Sequence, residues 1–220
     1  MYSRILMLVI GYLFGNLVTA ELVARMVAKK APSEIGSGNP GMANIARNLG
    51  VRWGVLVLLG DILKLVLAAA AAWYLFLSGN VPQTADLTLT WPVLVLWTGA
   101  GATLGHNFPF WRGFKGGKGV AVGVASIILA HPATGIPASL VGLFAVLMTG
   151  WLPLGAVVIM TLFTVLAFIF IGPEAGALGV AYTLMMVFRF RKGIKEILDG
   201  TCYRARPFSF ITDRFAKKDK

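Results

Sequence analysis

The chain has 220 residues, of which 57% are hydrophobic and 13% are charged, and 20 Lys and Arg against nine Asp and Glu give a formal net charge of +11. So little charge cannot cover a soluble domain of this length, so the composition excludes a soluble protein and predicts an all-α polytopic membrane protein. In such a protein the basic excess is explained by loops that record orientation, and no basic face with interleaved aromatic residues indicates nucleic-acid binding.

Seven apolar segments follow one another along the chain, and each is predicted to form a membrane-spanning helix. The third, fourth and fifth are short and interrupted by glycine or proline. Such segments usually line a cavity, because irregular backbone at membrane depth must be buried in protein or face water. Since no internal repeat or soluble domain interrupts the series, we expect one domain over residues 1–220. The segments cover residues 4–28, 52–78, 91–106, 119–131, 136–150, 152–172 and 175–190.

The connections between these segments differ sharply in charge. Residues 29–51, residues 107–118 and the chain from Arg189 onward are basic, whereas residues 79–90 and 131–135 contain no Lys or Arg. Cytoplasmic loops carry the excess of positive charge in membrane proteins. Seven spans with the N-terminus outside place all three basic regions and the C-terminus in the cytoplasm. The sequence therefore predicts a multi-pass protein of the plasma (inner) membrane.

Two of the basic regions are also rich in glycine. The first reads SEIGSGNPGMANIARNLG, residues 33–50, and the second reads GHNFPFWRGFKGGKGVAVG, residues 105–123. Glycine lets backbone N–H groups converge on an anion, Lys and Arg neutralise it, and Ser and Asn add neutral donors. Each loop also runs into an apolar segment, whose helix N-terminus favours the same anion.

Each loop alone is also consistent with a flexible basic connection. Two such loops on one face of a bundle, however, predict phosphate chemistry at the membrane surface. Neither loop has the GxxxxGK[ST] spacing of a nucleotide-binding loop, so nucleotide hydrolysis is disfavoured. Neither of the two histidines has a partner at metal-ligand spacing, and the single cysteine, Cys202, excludes a disulfide framework. The single cysteine likewise excludes a Cys-rich metal site.

The two loops resemble the signatures of a known enzyme family. GSGNPGMANIARNLG, residues 36–50, is similar to GSGNxGxTNxxRxLG, and LGHNFPFWRGFKGGKGVA, residues 104–121, is similar to GHxFPxxxxFKGGKGVAT. Both are signatures of the acyl-phosphate:glycerol-3-phosphate acyltransferases, the PlsY family. Asp61 and Lys64 in LLGDILKLVL also resemble a DxxKG pattern in the family's second helix. The resemblance covers the chain well to about residue 130 and implies seven spans with the N-terminus outside.

The resemblance implies transfer of a fatty acyl group from acyl-phosphate to the 1-hydroxyl of glycerol 3-phosphate, which gives lysophosphatidic acid for phospholipid synthesis. Acyl-phosphate is an activated mixed anhydride, so such an enzyme mainly positions it and stabilises the departing phosphate. The resemblance implies no metal and no organic cofactor. The expected partners are the two substrates and membrane lipid, and the expected state is a monomer. By position, the resemblance implies a catalytic set of Lys118, Arg47, Ser37 and His106, and a substrate-binding set of Gly38, Asn39, Asn44, Lys115, Gly116, Gly117, Gly119 and Arg191.

Four polar positions within or beside the apolar segments have a structural explanation as well as a functional one. His106 is predicted either to act in catalysis or to be a hydrogen-bonded interfacial histidine. Asp61 and Lys64, three residues apart on one helical face, are expected to pair within the membrane, with a substrate contact as the alternative. His131, on the opposite face, is expected to be structural.

The chain departs from the family pattern mainly in its second half. Residues 190–202 read FRKGIKEILDGTC, where the family has HRxNIxRLxxGxE. The histidine and asparagine of that signature would orient the glycerol phosphate, and the residues in their place here cannot. In the first signature Ala43 replaces threonine. The later departing positions are Gly150 and Pro153, which replace arginine and serine, and Phe190, Gly193, Glu196 and Thr201, which replace histidine, asparagine, arginine and glutamate.

These departures leave two other functions open. One is an acyltransferase of the same fold with a different polar acceptor, and in another alignment Arg204 or Arg206 would serve the acceptor phosphate. The other is a non-catalytic membrane protein that binds or transports a phosphorylated metabolite. Transporters often have repeated halves with a site near the bilayer midplane, and this chain has neither sign, which disfavours transport.

Overall fold

The computed structural model describes residues 2–78 and 89–202, and these residues form nine α-helices and two short 3-10 helices. The predicted all-α architecture is confirmed. The α-helices are α1 Tyr2–Gly15, α2 Thr19–Ala28, α3 Met42–Leu49, α4 Val51–Leu77, α5 Trp91–Asn107, α6 Val120–Ala130, α7 Pro132–Thr149, α8 Leu152–Phe170 and α9 Pro173–Leu198, and the 3-10 helices cover Pro32–Glu34 and Phe110–Arg112.

Within the described part of the chain, four stretches are long and apolar enough to cross a membrane. They are Tyr2–Ala28, which combines α1 and α2, together with Val51–Leu77, Pro132–Thr149 and Leu152–Phe170. Many large apolar side chains on these helices are exposed at the surface of the bundle. That exposure suits a protein whose surroundings are lipid rather than water.

Helix α5 lies at the centre of the bundle. It is apolar all round, and most of its side chains are buried, as is typical of a helix covered on every side. Its crossing with α1 depends on glycines on both helices: a Cβ on Gly11 or Gly15 would collide with backbone of α5, and one on Gly101 or Gly105 would collide with backbone of α1. Small residues at this spacing let two membrane helices approach closely. The crossing fixes where the C-terminal end of α5 meets the second loop.

The first apolar segment, predicted as one helix over residues 4–28, is two helices, and that prediction was wrong. The chain leaves the α-helix at residues 16–18. The Asn16 side-chain amide donates to the Tyr12 carbonyl oxygen at 2.6 Å, and its Oδ1 accepts from the Phe110 N–H at 2.9 Å. Asn16 thus links the break between α1 and α2 to the second loop.

Other boundaries differ from the prediction for local reasons. Helix α7 begins at Pro132, four residues before the predicted start, because proline suits the first turn of a helix, where its missing N–H costs nothing. Helix α9 continues to Leu198, beyond the predicted end at residue 190. The first basic loop also contains a separate short helix, α3, which ends at Leu49 just before α4 begins at Val51.

Candidate active site

The two glycine-rich loops meet at one end of the bundle and line an open cleft of about 380 Å³. Three cationic side chains and two serines from segments about 70 residues apart in the chain face this space. Ammonium and guanidinium groups beside hydroxyl and amide donors form a site suited to a phosphate. The lining residues are Ser33, Ser37, Gly38, Asn39, Pro40, Arg112, Lys115, Gly116 and Lys118.

The structure therefore brings together six of the predicted site residues and adds two polar ones. Ser33 precedes the first family signature and Arg112 occupies a variable position within the second, so sequence reasoning did not select them. Arg112 also forms an ion pair with Glu21 of α2, with 3.0 Å between Nη2 and Oε2. This pair ties the second loop to the first helical segment. The predicted residues in the cleft are Ser37, Gly38, Asn39, Lys115, Gly116 and Lys118.

Asn44 lies behind the first loop, and its side chain contacts the backbone of that loop rather than the cleft. Its buried side-chain amide donates to the Ile35 carbonyl oxygen at 2.8 Å, and its Oδ1 accepts from the Ser37 N–H at 3.0 Å. Both ends of the amide are thus used to brace the loop. Asn44 shapes the turn that presents Ser37 and Gly38 to the cleft.

Of the three glycine N–H groups in the second loop that were expected to donate to phosphate, two have backbone acceptors in the structure. The Gly116 and Gly117 N–H groups donate to the carbonyl oxygens of Asn107 and His106 at 3.1 and 3.0 Å. Both donors are therefore occupied by the end of α5. Gly119 lies outside the cleft lining, where its φ of 74° lets the chain turn into α6.

The carbonyl oxygens of the same two glycines are held from the other side by Arg189 of α9. Its Nη2 donates to the Gly116 oxygen at 2.9 Å and also to the Gly117 oxygen. Sequence reasoning missed Arg189, which lies among several basic residues at the end of the last helix. Only the position of that helix against the loop distinguishes it from its neighbours.

His106 lies beneath the loop in a buried polar network with Asp61 and Lys64. The Lys64 ammonium lies 2.9 Å from Asp61 Oδ1, 2.9 Å from the Leu17 carbonyl oxygen and 2.8 Å from His106 Nδ1. The predicted Asp61–Lys64 pair is confirmed. Because an ammonium group can only donate, His106 Nδ1 must accept, so we assign a neutral imidazole with its proton on Nε2.

This network makes His106 a structural support for the loop. The side chain is 3% exposed and is not among the cleft residues. Its Nε2 faces Gly117, where an added Cβ would collide with the imidazole ring. Of the two explanations for His106, these contacts support the hydrogen-bonded one.

Lys118 is half-buried and lies against α9. Its Nζ is 4.4 Å from the centroid of the Phe190 ring, a cation–π contact. Burial lowers the pKa of the Lys118 ammonium, the Glu196 carboxylate opposes that shift, and the Arg189 charge adds to it. Phe190 and Glu196, two positions that depart from the family pattern, thus both act on this lysine.

Pro153 and Gly193, two more departing positions, also meet in space. A Cβ on Gly193 would lie only 2.7 Å from Pro153 Cγ, so the start of α8 packs directly on α9 at this point. An asparagine side chain at residue 193 would not fit against the proline ring. The changes at 153 and 193 are therefore complementary, and they keep the two helices in contact.

Six predicted site residues lie outside the cleft lining, and three of them, His106, Gly117 and Gly119, were placed above with the second loop. Arg47 is on the exposed side of α3. The Arg191 guanidinium donates to the Phe188 carbonyl oxygen at 2.9 Å and lies 4.5 Å from the Phe188 ring centroid, on the surface of its own helix. Asn44 was described above. His131, expected to be structural, lies 3.1 Å from the Thr134 hydroxyl through Nδ1 at the start of α7.

Two further points concern ligands of other kinds. Arg204 and Arg206, the alternative acceptor-phosphate residues, lie outside the described residues. In residues 2–78 and 89–202, no group of three or more His, Cys, Asp or Glu side chains is arranged to hold a metal ion.

Comparison with known proteins shows what kind of protein has this fold and cleft. A family model described as glycerol-3-phosphate acyltransferase matches residues 5–200. The chain is 40% identical over 193 residues to glycerol-3-phosphate acyltransferase 1 of Lactobacillus johnsonii, with 88% of each chain covered. It is 35% identical over 198 residues to glycerol-3-phosphate acyltransferase 1 of Lactobacillus acidophilus, with 90% of each covered.

The fold gives the same result. A crystal structure of PlsY, an integral membrane glycerol 3-phosphate acyltransferase, in its glycerol 3-phosphate form, is similar with a TM-score of 0.77 and 26% identity, covering 95% of this chain and 98% of that one. Fold and cleft thus define an integral membrane acyltransferase. The chain belongs to the glycerol-3-phosphate acyltransferase family, and the match continues through the altered third signature. The predicted family and enzyme class are confirmed, and the non-catalytic alternative is not supported.

Proposed function

We propose that the protein transfers a fatty acyl group from acyl-phosphate to the 1-hydroxyl of glycerol 3-phosphate and releases lysophosphatidic acid and inorganic phosphate. The observation that carries this proposal is the cleft between the two loops, in which Arg112, Lys115 and Lys118 face Ser33 and Ser37. The similar PlsY structures are in a glycerol 3-phosphate form and a lysophosphatidic acid form, which supports this acceptor and product.

The cleft residues have two functions: some neutralise the charge of the phosphate and others fix its orientation. The three cations neutralise the phosphate that leaves the acyl carbon, and Ser33, Ser37 and Asn39 add neutral donors that fix its orientation. The acceptor hydroxyl oxygen attacks the acyl carbonyl carbon, the bond from that carbon to the phosphate oxygen breaks, and the released phosphate takes the hydroxyl proton. Because Arg47, His106 and Arg191 lie outside the cleft lining, the proposal gives them no direct contact.

The proposal includes an orientation in the membrane. We infer seven spans, in which α1 and α2 together make the first, and a single domain that works as a monomer. The N-terminus lies outside and the cleft opens on the cytoplasmic side of the plasma membrane. The charge of both loops and of the end of α9 supports this placement.

The test measures phosphate release by the detergent-purified protein given a long-chain acyl-phosphate, with and without glycerol 3-phosphate, and follows lysophosphatidic acid in parallel. We expect acceptor-dependent release with matching product. In Lys118→Met, kcat/KM should fall by roughly 100-fold or more, because the variant removes a charge from the leaving phosphate.

The matched control is Lys192→Met, which removes the same charge from an exposed position on α9. It should behave like the unchanged protein. Full transfer activity in Lys118→Met would contradict the assigned phosphate site. Phosphate release without lysophosphatidic acid would contradict the proposed acceptor.

A further inference from the structure

The peptide groups of Gly116 and Gly117 are held from two opposite sides. Their N–H groups donate to the Asn107 and His106 carbonyl oxygens at the end of α5, at 3.1 and 3.0 Å. Their carbonyl oxygens both accept from Nη2 of Arg189 on α9. A side chain from a helix far along the sequence thus completes the hydrogen bonding of the loop. Lys115 and Lys118, both in the cleft, directly flank these two glycines.

Arg189 is itself firmly placed. Its guanidinium carbon lies 5.1 Å from the centroid of the Phe108 ring, and that ring lies 6.3 Å from the Phe188 ring. The planar guanidinium is rigid, so stacking fixes the direction of its N–H groups. Among the residues that the structure describes, its hydrogen bonds go to backbone oxygens and none goes to a carboxylate. Its charge therefore also adds to the positive field at the loop.

We propose that Arg189 is a positioning residue for acyl transfer: by binding both carbonyl oxygens it sets the two peptide planes so that Lys115 and Lys118 face the same phosphate. The inference rests on the proposed function of the cleft. It does not require Arg189 to touch either substrate. If this link were lost, the loop would keep its N–H bonds to α5, but the two lysines would lose their common orientation.

The experiment compares Arg189→Met, which keeps an apolar stem over Phe108, with Arg189→Lys and with the control Lys192→Met in the purified full-length protein. Three quantities are measured: the thermal midpoint of unfolding, kcat and KM for acyl-phosphate, and the affinity for inorganic phosphate by titration calorimetry. A merely structural contact would change the first quantity and leave the affinity of the folded protein unchanged.

We expect Arg189→Met to weaken phosphate affinity and lower kcat/KM by about 10- to 100-fold, as the loss of two charge-assisted hydrogen bonds implies. Because the same two bonds also stabilise the fold, its thermal midpoint should fall below that of Lys192→Met, so affinity and kcat/KM are measured at a temperature at which every variant is folded. Arg189→Lys should recover part of the loss, because an ammonium group can donate to the same oxygens but lacks the planar guanidinium that stacks on Phe108 and fixes the direction of the donors.

The inference is overturned if Arg189→Met equals Lys192→Met in phosphate affinity and kcat/KM, or if its activity falls only in proportion to unfolding. Failure of the proposed function would look different. In that case the unchanged protein would bind inorganic phosphate without forming lysophosphatidic acid, and the affinities of the Arg189 variants would still decide the positioning role.

Discussion

The proposed reaction needs a charged Lys118, but the partial burial of this side chain disfavours the charged form. The Phe190 ring lies 4.4 Å from its Nζ, and burial lowers the pKa of the ammonium. The cation–π contact holds the ammonium group in place and leaves its charge uncompensated, whereas a carboxylate would neutralise that charge. A lysine held in this way is available to a phosphate that enters the cleft.

The lowered pKa of Lys118 predicts how activity depends on pH. The ammonium is charged below its pKa and is lost as pH rises through it, so kcat/KM for acyl-phosphate should fall at a lower pH than an ordinary lysine would give. In Lys118→Arg the guanidinium stays charged far into the alkaline range, so the alkaline fall should move to higher pH. The measurement is kcat/KM from about pH 6 to 10. An alkaline fall at the same pH in both proteins would show that another group causes it.

The sequence alone cannot show which of Arg189 and Arg191 contacts the second loop. Both belong to the run FRFRK, and the family resemblance favoured Arg191. In the structure Arg189 holds the second loop and Arg191 lies on its own helix. Side chains two residues apart on a helix differ in direction by roughly 200° around the helix axis. Only the packing of α9 therefore determines which of the two arginines faces the loop.

At the scale of elements, the crossing of α1 and α5 is the tightest feature of the fold. Gly11 and Gly15 on one helix face Gly101 and Gly105 on the other, and each is close to backbone of its partner. The spacing of four residues is the same on both helices. Dispersion between closely approaching backbones stabilises such crossings in membranes, where the hydrophobic effect does not drive helices together.

Enlarging one glycine of this crossing should destabilise the protein. Gly11→Leu places a side chain against the Thr98 carbonyl group, so the helices must separate. Overpacking of this kind costs about 1–3 kcal/mol, which lowers the thermal midpoint by roughly 5–10 °C in a chain of this size. Val9→Leu is the control, because Val9 lies on the same helix and is 45% exposed. Equal midpoints for the two variants in detergent would contradict the crossing.

At the scale of the whole molecule, the orientation of the cleft is open to direct measurement. The single cysteine, Cys202, follows the end of α9, and Ala133 is exposed at the turn between α6 and α7. In the inferred topology Cys202 lies in the cytoplasm, so it should react with a membrane-impermeant maleimide in inverted membrane vesicles. A double variant, Cys202→Ser with Ala133→Cys, carries its cysteine on the outer side and should react in intact cells. Cys202→Ser alone should not react in either preparation. Labelling of both positions from one side would contradict the topology.

The sequence by itself determined the class of this protein. Apolar segments 52–78 and 91–106 became α4 and α5 within a residue or two at each end, because a helix that satisfies its own backbone is the only way such segments cross a membrane. The two loop signatures identified the family and most of the cleft residues. Both kinds of information are local: they depend on which residues follow one another.

Tertiary structure alone decided how the loops work. Asn44, Gly116 and Gly117 belong to the predicted set, but their polar groups are used by other parts of the chain, and Arg189, from about 70 residues away, completes the second loop. Asn16 links the break at residues 16–18 to that loop. A hydrogen-bond donor looks the same in the sequence whether a phosphate or a distant carbonyl oxygen accepts from it, and only the packing of α1, α5 and α9 determines which of them it meets.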